Sequence, residues 1–162
     1  MANYFVTAIG TDSGKTLVSA ILTEALNADY WKPVQAGLEE RDTYQVQKLI
    51  SNSQTTFYPE AYALNTPMSP HQSAKIDGIE VKLSEINLPK TQNNNLIVEG
   101  AGGILVPIND TDFVIDIAAK FKCEIILVSN LYLGSINHTI LTINEIKRRG
   151  LKVKGIIFNG ES

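Results

Sequence analysis

The sequence has a single cysteine, no excess of positive charge and no long apolar run. Without a second cysteine, neither an intrachain disulfide nor a cysteine-based zinc site can form, and Cys123 is expected to be small buried filler rather than a nucleophile. Fourteen Lys and Arg residues against seventeen Asp and Glu give a net charge of −3, which argues against general nucleic-acid binding. No stretch approaches the roughly 18 apolar residues of a membrane span, and the N-terminus lacks the basic region of a signal peptide. We therefore expect a soluble, cytoplasmic protein with no nucleic-acid or membrane partner.

The 162 residues, 44% of them hydrophobic, suffice for one core. Short apolar runs alternate with segments of helical period, a pattern typical of βα units around a parallel sheet. No linker rich in Pro, Gly or Ser divides the chain, so one α/β domain over residues 1–162 is expected. The predicted strands are residues 4–9, 30–34, 96–99, 125–128 and 153–158, and the predicted helices are residues 15–27, 42–50, 72–75, 81–86, 113–122 and 136–149.

Several helices carry more detailed signals. Asp112 and Ser135 are the expected N-caps of the last two helices. In the first helix, Leu17 and Ile21 belong to an apolar series at i+4 that predicts a broad buried face. Residues 52–65 are polar and aromatic without a clear period, and no element is predicted there.

Polar residues collect where the predicted strands end. In open parallel sheets, ligands bind beyond the carboxyl ends of the strands. A lysine and a glutamate would be costly there as core residues without partners, so this edge is the expected ligand site. Its residues are Gly10, Thr11, Asp12, Lys32, Glu99, Gly100, Ser129, Asn130 and Asn159.

Residues 10–16, Gly-Thr-Asp-Ser-Gly-Lys-Thr, lie between a predicted strand and a predicted helix. In a phosphate-binding P-loop the backbone N–H groups wrap the phosphates, the lysine reaches the β/γ-phosphates and the hydroxyl binds Mg²⁺, roles that Lys15 and Thr16 fit. The strict G-x-x-x-x-G-K-[ST] spacing fails, because Ile9 occupies the first glycine position and Gly10 comes one residue late. The alternative is an ordinary glycine turn with a capping hydroxyl, but the strand–loop–helix context favours nucleotide binding.

Further residues near strand ends are candidates for chemistry. Glu99 stands where a metal-directed carboxylate is needed, and the P-loop favours that role over a solvated charge. Asp42 is a second candidate ligand, equally interpretable as the N-cap of its helix. Lys32 either stabilises charge on a transferred phosphoryl group or is an ordinary surface lysine. The small residues 100–103 predict a turn that lets a ligand approach the backbone closely.

Five blocks of the sequence occur together in a fixed order: residues 10–16, 32–37, 67–71, 98–103 and 134–138. In that order they resemble the dethiobiotin synthetase family, and the likeness covers essentially the whole chain. The Lys-Pro-Val-Gln and Val-Glu-Gly-Ala-Gly-Gly blocks are much more specific than the glycine-rich loop. The resemblance implies a three-layer P-loop NTPase fold, in which helices flank a mostly parallel central sheet.

The resemblance also implies a reaction of biotin biosynthesis, the ATP- and Mg²⁺-dependent ring closure of 7,8-diaminononanoate with CO₂. One amine takes up CO₂ as a carbamate, whose oxygen attacks the γ-phosphate to give a carbamic-phosphoric anhydride. The second amine then attacks the carbonyl and expels phosphate, which leaves a cyclic urea. Positioning two amines and neutralising phosphoryl charge require lysines and a metal rather than a protein nucleophile.

Family position assigns roles to individual residues. The implied catalytic residues are Lys15, Lys32, Thr11 and Asp12. The implied nucleotide-binding residues are Asp12, Ser13, Gly14, Lys15, Thr16, Leu17, Glu99 and, at the adenine, Asn159. The implied Mg²⁺ ligands are Thr16, Asp42 and Glu99. The implied substrate-binding residues are Lys32, Gly100, Ala101, Gly102 and Gly103, and, from the partner in a homodimer, the backbone N–H groups of Ser135, Ile136 and Asn137.

The sequence departs from the family pattern at three places. Ala8 stands where many relatives begin the loop with glycine, and Ala36 replaces a hydroxyl residue, which removes one hydrogen bond near the carbamate. The chain ends at Ser162, before the C-terminal segment expected of the family. Two other functions stay open: a related P-loop amidoligase acting on a cofactor precursor, although Cys123 lies outside any nucleophile motif, and a nucleotide-dependent switch, although its second lysine or guanine motif is missing.

Overall fold

A six-stranded parallel sheet runs through the centre of the protein, as seen in a computed structural model that describes residues 2–160. Its strand order is β4-β2-β6-β1-β7-β8, and every neighbouring pair is parallel. A separate parallel pair is formed by β3 and β5. The strands are β1 Ala2–Ala8, β2 Asp29–Trp31, β3 Val34–Ala36, β4 Phe57–Tyr58, β5 Tyr62–Leu64, β6 Asn95–Gly103, β7 Glu124–Asn130 and β8 Val153–Asn159.

Helices cover both faces of this sheet. Side chains alternate along β1, so Phe5 enters one apolar cluster and Val6 the other. Helices α1 and α2 cover the Val6 face, and α3, α4 and α5 contribute to the Phe5 cluster. The helices are α1 Lys15–Ala25, α2 Asp42–Leu49, α3 Pro70–Ile76, α4 Val114–Lys120 and α5 Ser135–Arg148. The predicted three-layer α/β fold with a mostly parallel sheet is confirmed. The expected domain, residues 1–162, includes Met1, Glu161 and Ser162, which lie outside the described residues.

The middle of the chain differs most from the sequence-based prediction. Residues 52–65, where no element was predicted, contain β4 and β5, which are too short to show a period. The predicted helix 81–86 is wrong, since only a 3₁₀ turn, Leu83–Glu85, forms there. The predicted strand 30–34 is two strands of different sheets, because Pro33 has no N–H to donate and separates β2 from β3.

Both predicted N-caps are wrong. Helix α4 is preceded by Phe113, whose N–H donates to the Asp116 carboxylate at 2.8 Å, whereas Asp112 accepts a hydrogen bond from Asn109. Helix α5 is preceded by Gly134 in the left-handed region, and Ser135 is its first helical residue. Backbone geometry and a carboxylate one turn into the helix thus take the place of the expected side chains.

In helices α1 and α5, several large apolar side chains are exposed and smaller or polar ones are buried. In α1, Leu17 and Ile21 are exposed, so the broad buried face predicted there is wrong. The buried residues of this helix are Lys15, Val18, Ser19, Ala20 and Thr23, small side chains apart from the lysine and the valine. In α5, Ile136 and Ile140 are likewise exposed, whereas Thr139 and Thr142 are buried. In both helices, small or polar side chains are therefore buried where larger apolar ones are exposed.

The environment of Cys123 and the character of the helices bear on two predictions from the sequence. Cys123 is buried and unpaired, and burial raises the pKa of its thiol to about 12, in agreement with a packing role. None of the helices within residues 2–160 has both the length and the apolar character needed to cross a bilayer.

Candidate functional site

The loop between β1 and α1 has the backbone shape of an anion-binding turn. Asp12 and Gly14 have φ of 55° and 92°, both in the left-handed region. The positive φ of Gly14 would strain any other residue, and a Cβ there would collide with the Asn159 side-chain nitrogen, so glycine is favoured at this position. Ser13 Oγ donates to Asn130 Oδ1 at 2.7 Å, and this ties the loop to the end of β7. The first turn of α1 borders the cleft beyond the sheet edge, and the free N–H groups of a helix N-terminus are suited to receive an anion.

Lys15 is the first residue of α1 and is almost fully buried beneath this loop. Its Nζ donates to the Gly10 carbonyl at 3.2 Å. Burial, reinforced by the nearby Lys32 ammonium, lowers the pKa of Lys15 below its usual range. An anion placed at the loop would offset both effects, which is what a phosphate-binding lysine requires.

Lys32, directly after β2, lies buried between two carboxylates. Its Nζ is 3.2 Å from Glu99 Oε1, forms a close ion pair with Asp42 and donates to the Gly100 carbonyl at 3.0 Å. Burial alone would lower the pKa of Lys32, but Glu99 and Asp42 outweigh burial and raise it. The side chain is therefore a fixed cation, and the alternative of an ordinary surface lysine is wrong.

Thr16 lies against the same two carboxylates. Its Oγ1 is 3.0 Å from Glu99 Oε1 and 3.2 Å from Asp42 Oδ1, in position to donate to either. Asp42 is the first residue of α2 and Arg41 precedes it, so Asp42 is not the N-cap. Among residues 2–160, no group of three or more His, Cys, Asp or Glu side chains is arranged to hold a metal. Two carboxylates and a hydroxyl do fit Mg²⁺, which takes few protein ligands when phosphates supply the others.

The segment after Glu99 is a distorted strand rather than the predicted turn. Strand β6 continues to Gly103, but its pairing with β1 shifts between Val6–Glu99 and Ala8–Gly103. A Cβ on Gly100 would lie 2.9 Å from the Phe5 ring, so packing explains the absence of a side chain there. Gly102 has a φ of 65°, and a Cβ built on it lies 3.7 Å from Thr11 Oγ1.

Two side chains that were not predicted as site residues hold the charged residues in place. The Tyr30 hydroxyl donates to Glu99 Oε2 at 3.0 Å, and the Gln35 side-chain oxygen accepts the Asp42 N–H at 3.2 Å. Burial, and then the Glu99 carboxylate, raise the pKa of Tyr30 well above its usual value, so its hydroxyl stays neutral. Tyr30 lies two positions before Lys32, so the two side chains point to the same face of a strand. This spacing could have indicated that Tyr30 lies near the site.

These groups line one wall of a cleft of about 1140 Å³. Loop residues 67–70, just before and at the start of α3, form part of its other wall. Predicted site residues along the cleft are Thr11, Asp12, Gly14, Lys15, Thr16, Leu17, Lys32, Asp42, Glu99, Ala101 and Gly102. The structure thus brings most of the predicted set together around one volume.

Other predicted residues lie away from this cleft. Ser13 is buried behind the loop, and Gly100 and Gly103 are not on the cleft surface. The Asn159 amide donates to the Ser13 carbonyl at 3.0 Å, so it supports the loop from β8. Residues 135–137 begin α5 outside the cleft of their own chain, and the Ser135 N–H is already donated to the Tyr132 carbonyl.

A parallel sheet, a glycine-containing loop that leads into a helix beginning Lys-Thr, and a carboxylate on the neighbouring strand define a P-loop NTPase. Solved structures agree on the fold. A ParA family ATPase from Chlorobium tepidum matches with a TM-score of 0.60 at 9% identity, over 98% of this chain and 73% of that chain. The kinase domain of the Escherichia coli tyrosine kinase ETK matches with a TM-score of 0.53 at 16% identity, over 98% and 67%.

Sequence comparison narrows this class to one family. The family described as AAA domain matches residues 2–162. The ATP-dependent dethiobiotin synthetase BioD of Cytophaga hutchinsonii is 62% identical over 99% of this chain and 78% of its own length. That of Christiangramia forsetii is 53% identical over 98% and 76%, and that of Afipia carboxidovorans 45% over 96% and 75%. The chain belongs to the ATP-dependent dethiobiotin synthetase family, which confirms the resemblance carried by the five sequence blocks.

Proposed function

We propose that this chain is an ATP-dependent ligase that closes 7,8-diaminononanoate and CO₂ into the cyclic urea of dethiobiotin. Membership of the dethiobiotin synthetase family supports the reaction, and one structural observation supports its location. Lys32 is a buried cation on the cleft, held by Asp42 and Glu99 and close enough to Lys15 to lower its pKa. Two lysines at one site suit a reaction whose intermediates are a carbamate and a transferred phosphoryl group.

In the proposed reaction, one substrate amine and CO₂ form a carbamate, with loss of a proton. The carbamate oxygen attacks the γ-phosphorus of ATP, and ADP leaves with the electron pair of the broken P–O bond. The second amine attacks the carbonyl of the resulting mixed anhydride, loses a proton and expels phosphate, which leaves the cyclic urea. The contribution of Lys15 and Lys32 is to hold oxygens whose negative charge grows during these steps, and Thr11 and Asp12 border the same volume.

We propose that Mg²⁺ accompanies ATP and that Thr16, Asp42 and Glu99 hold it. The support is their convergence, since the Thr16 hydroxyl oxygen lies within 3.2 Å of both carboxylates. When bound, the ion would neutralise charge on the phosphate oxygens. Ser13, Gly14, Leu17 and Asn159 are proposed to contribute to the nucleotide site, where the loop N–H groups receive the phosphates.

We further propose a homodimer in which α5 of the partner receives the substrate carboxylate. The start of α5 has no side-chain cap, so its backbone can serve an anion, with Ile136 and Asn137 better placed than Ser135, whose N–H is already used. Exposed Leu133 and Ile140 beside this terminus give it an apolar surface to bury. Sedimentation velocity should give twice the monomer mass, and a monomer in active solutions would contradict this assembly. A cytoplasmic location stays a prediction of the sequence.

The decisive experiment measures ADP release and product together. ADP should form only when 7,8-diaminononanoate and bicarbonate are both present, and mass spectrometry should find the cyclic urea in equal amount. Omitting each compound in turn is the matched control. ATP hydrolysis that ignores both compounds would refute the ligase proposal and favour a nucleotide switch.

A further inference from the structure

The two oxygens of the Glu99 carboxylate have different partners. Oε1 lies 3.0 Å from Thr16 Oγ1 and 3.2 Å from Lys32 Nζ, on the cleft side. Oε2 accepts the Tyr30 hydroxyl at 3.0 Å. A carboxylate bonded at both oxygens cannot rotate about its terminal bond without breaking at least one contact. The Tyr30 hydroxyl therefore helps to fix the orientation of the Glu99 carboxylate, with one oxygen directed at Thr16 and Lys32.

Tyr30 is itself held firmly. It sits in the middle of β2, fully buried, with Phe57 of β4 on one side and Ile97 of β6 on the other as its strand partners. Its backbone N–H donates to the Thr56 carbonyl at 3.0 Å, and its ring lies 5.8 Å from the Phe57 ring. A rigid phenol on a central strand can fix a neighbouring carboxylate much better than a flexible surface group.

We propose that Tyr30 is a positioning residue for the reaction, holding the Glu99 carboxylate so that one of its oxygens stays directed at Thr16, where Mg²⁺ is proposed to bind. This inference rests on the proposed function. Residues that orient metal ligands from behind commonly change metal affinity by tenfold or more when they are replaced. Tyr30 is fully buried and does not line the cleft, so its effect should appear only when Mg²⁺ is present.

Tyr30→Phe removes one oxygen and keeps the ring that packs against Phe57. Titration with a fluorescent ATP analogue should give a Kd about tenfold weaker than wild type in Mg²⁺ and unchanged in EDTA. In turnover assays, the KM for Mg²⁺ should rise by a similar factor, with kcat at saturating Mg²⁺ nearly preserved. Tyr58→Phe is the matched control, because the Tyr58 hydroxyl donates to another carboxylate, that of Asp29, at 3.2 Å.

The outcomes separate this inference from the function on which it rests. If Tyr30→Phe depends on Mg²⁺ as wild type does, or loses as much nucleotide affinity in EDTA as in Mg²⁺, the positioning role is overturned. The ligase proposal is not affected by either result as long as the wild-type protein turns over its substrates. Wild-type protein that gains no nucleotide affinity from Mg²⁺ overturns the proposed metal site and the inference with it. If Tyr30→Phe does not fold, Phe57→Leu, which loosens the ring but keeps the hydroxyl, must show a smaller loss confined to Mg²⁺.

Discussion

Replacing Lys32 with methionine removes a buried cation and leaves its two carboxylates behind. Coulomb's law with an effective dielectric of about 20 puts the attraction to Glu99, at 3.2 Å, near 5 kcal/mol. Replacing Lys32 also removes the cost of burying an ammonium, and Asp42 is partly solvated. Both effects offset part of the lost attraction. We therefore expect the free energy of unfolding to fall by about 3 kcal/mol, within the range for breaking a buried pair.

Urea unfolding without Mg²⁺ measures this loss, and Lys48→Met, which removes an exposed lysine from α2, is its control. Turnover with 7,8-diaminononanoate and bicarbonate should fall below detection in Lys32→Met, whereas the affinity for an ATP analogue should largely survive. An unfolding free energy equal to that of wild type would refute the electrostatic reasoning. Equal loss of turnover and nucleotide affinity would instead place Lys32 at the nucleotide.

Two further predictions concern residues away from the cleft. Hydrogen bonds from Ser51 and Asn52 lower the pKa of Glu24 from 4.5 to about 2, so they stabilise the fold above pH 4.5 and this stabilisation is lost as the pH falls through about 2. Thermal unfolding should find Glu24→Gln less stable than wild type at pH 6 but not at pH 2; a constant difference would contradict this. With a pKa of about 12, Cys123 should resist iodoacetamide at pH 8 until urea unfolds the protein. Rapid labelling of native protein would contradict its burial.

Elements with a longer sequence pattern were predicted more accurately than short ones. Strands β1, β7 and β8 have seven residues each, with an apolar segment of at least three residues, and each was predicted within about two residues of its observed bounds. Strands β3, β4 and β5 have two or three residues each, too few for any period, and they form through pairing with distant partners. The buried face of α1 was also predicted wrongly, because an apolar pattern does not show which neighbours the helix packs against.

Lys32 and Glu99 were predictable because each stands at the end of a predicted strand, and the carboxyl ends of parallel strands share one edge of the sheet. Asp42, at the start of α2, was equally interpretable as an N-cap, and its place beside Lys32 and Glu99 was implied only by the family resemblance. Tyr30 and Gln35 were not predicted as site residues, because a tyrosine or a glutamine in a short strand has many possible roles until its hydrogen-bond partner is known. Those partners, Glu99 and the Asp42 backbone, are fixed only by tertiary packing.

The shifted pairing between β1 and β6 explains how a buried sheet edge accommodates these charges. From Val6–Glu99 to Ala8–Gly103, β6 contains two more residues than β1, and such an irregularity redirects backbone groups that a regular ladder would use. The Gly100 carbonyl is thereby available to the Lys32 ammonium, which supplements its two carboxylates with a third oxygen partner. Glycine at position 100 is required by the Phe5 ring, and at position 102 by the positive φ. The Val-Glu-Gly-Ala-Gly-Gly block therefore specifies a backbone shape as well as a carboxylate, and through the Gly100 carbonyl that shape helps to hold Lys32 in place.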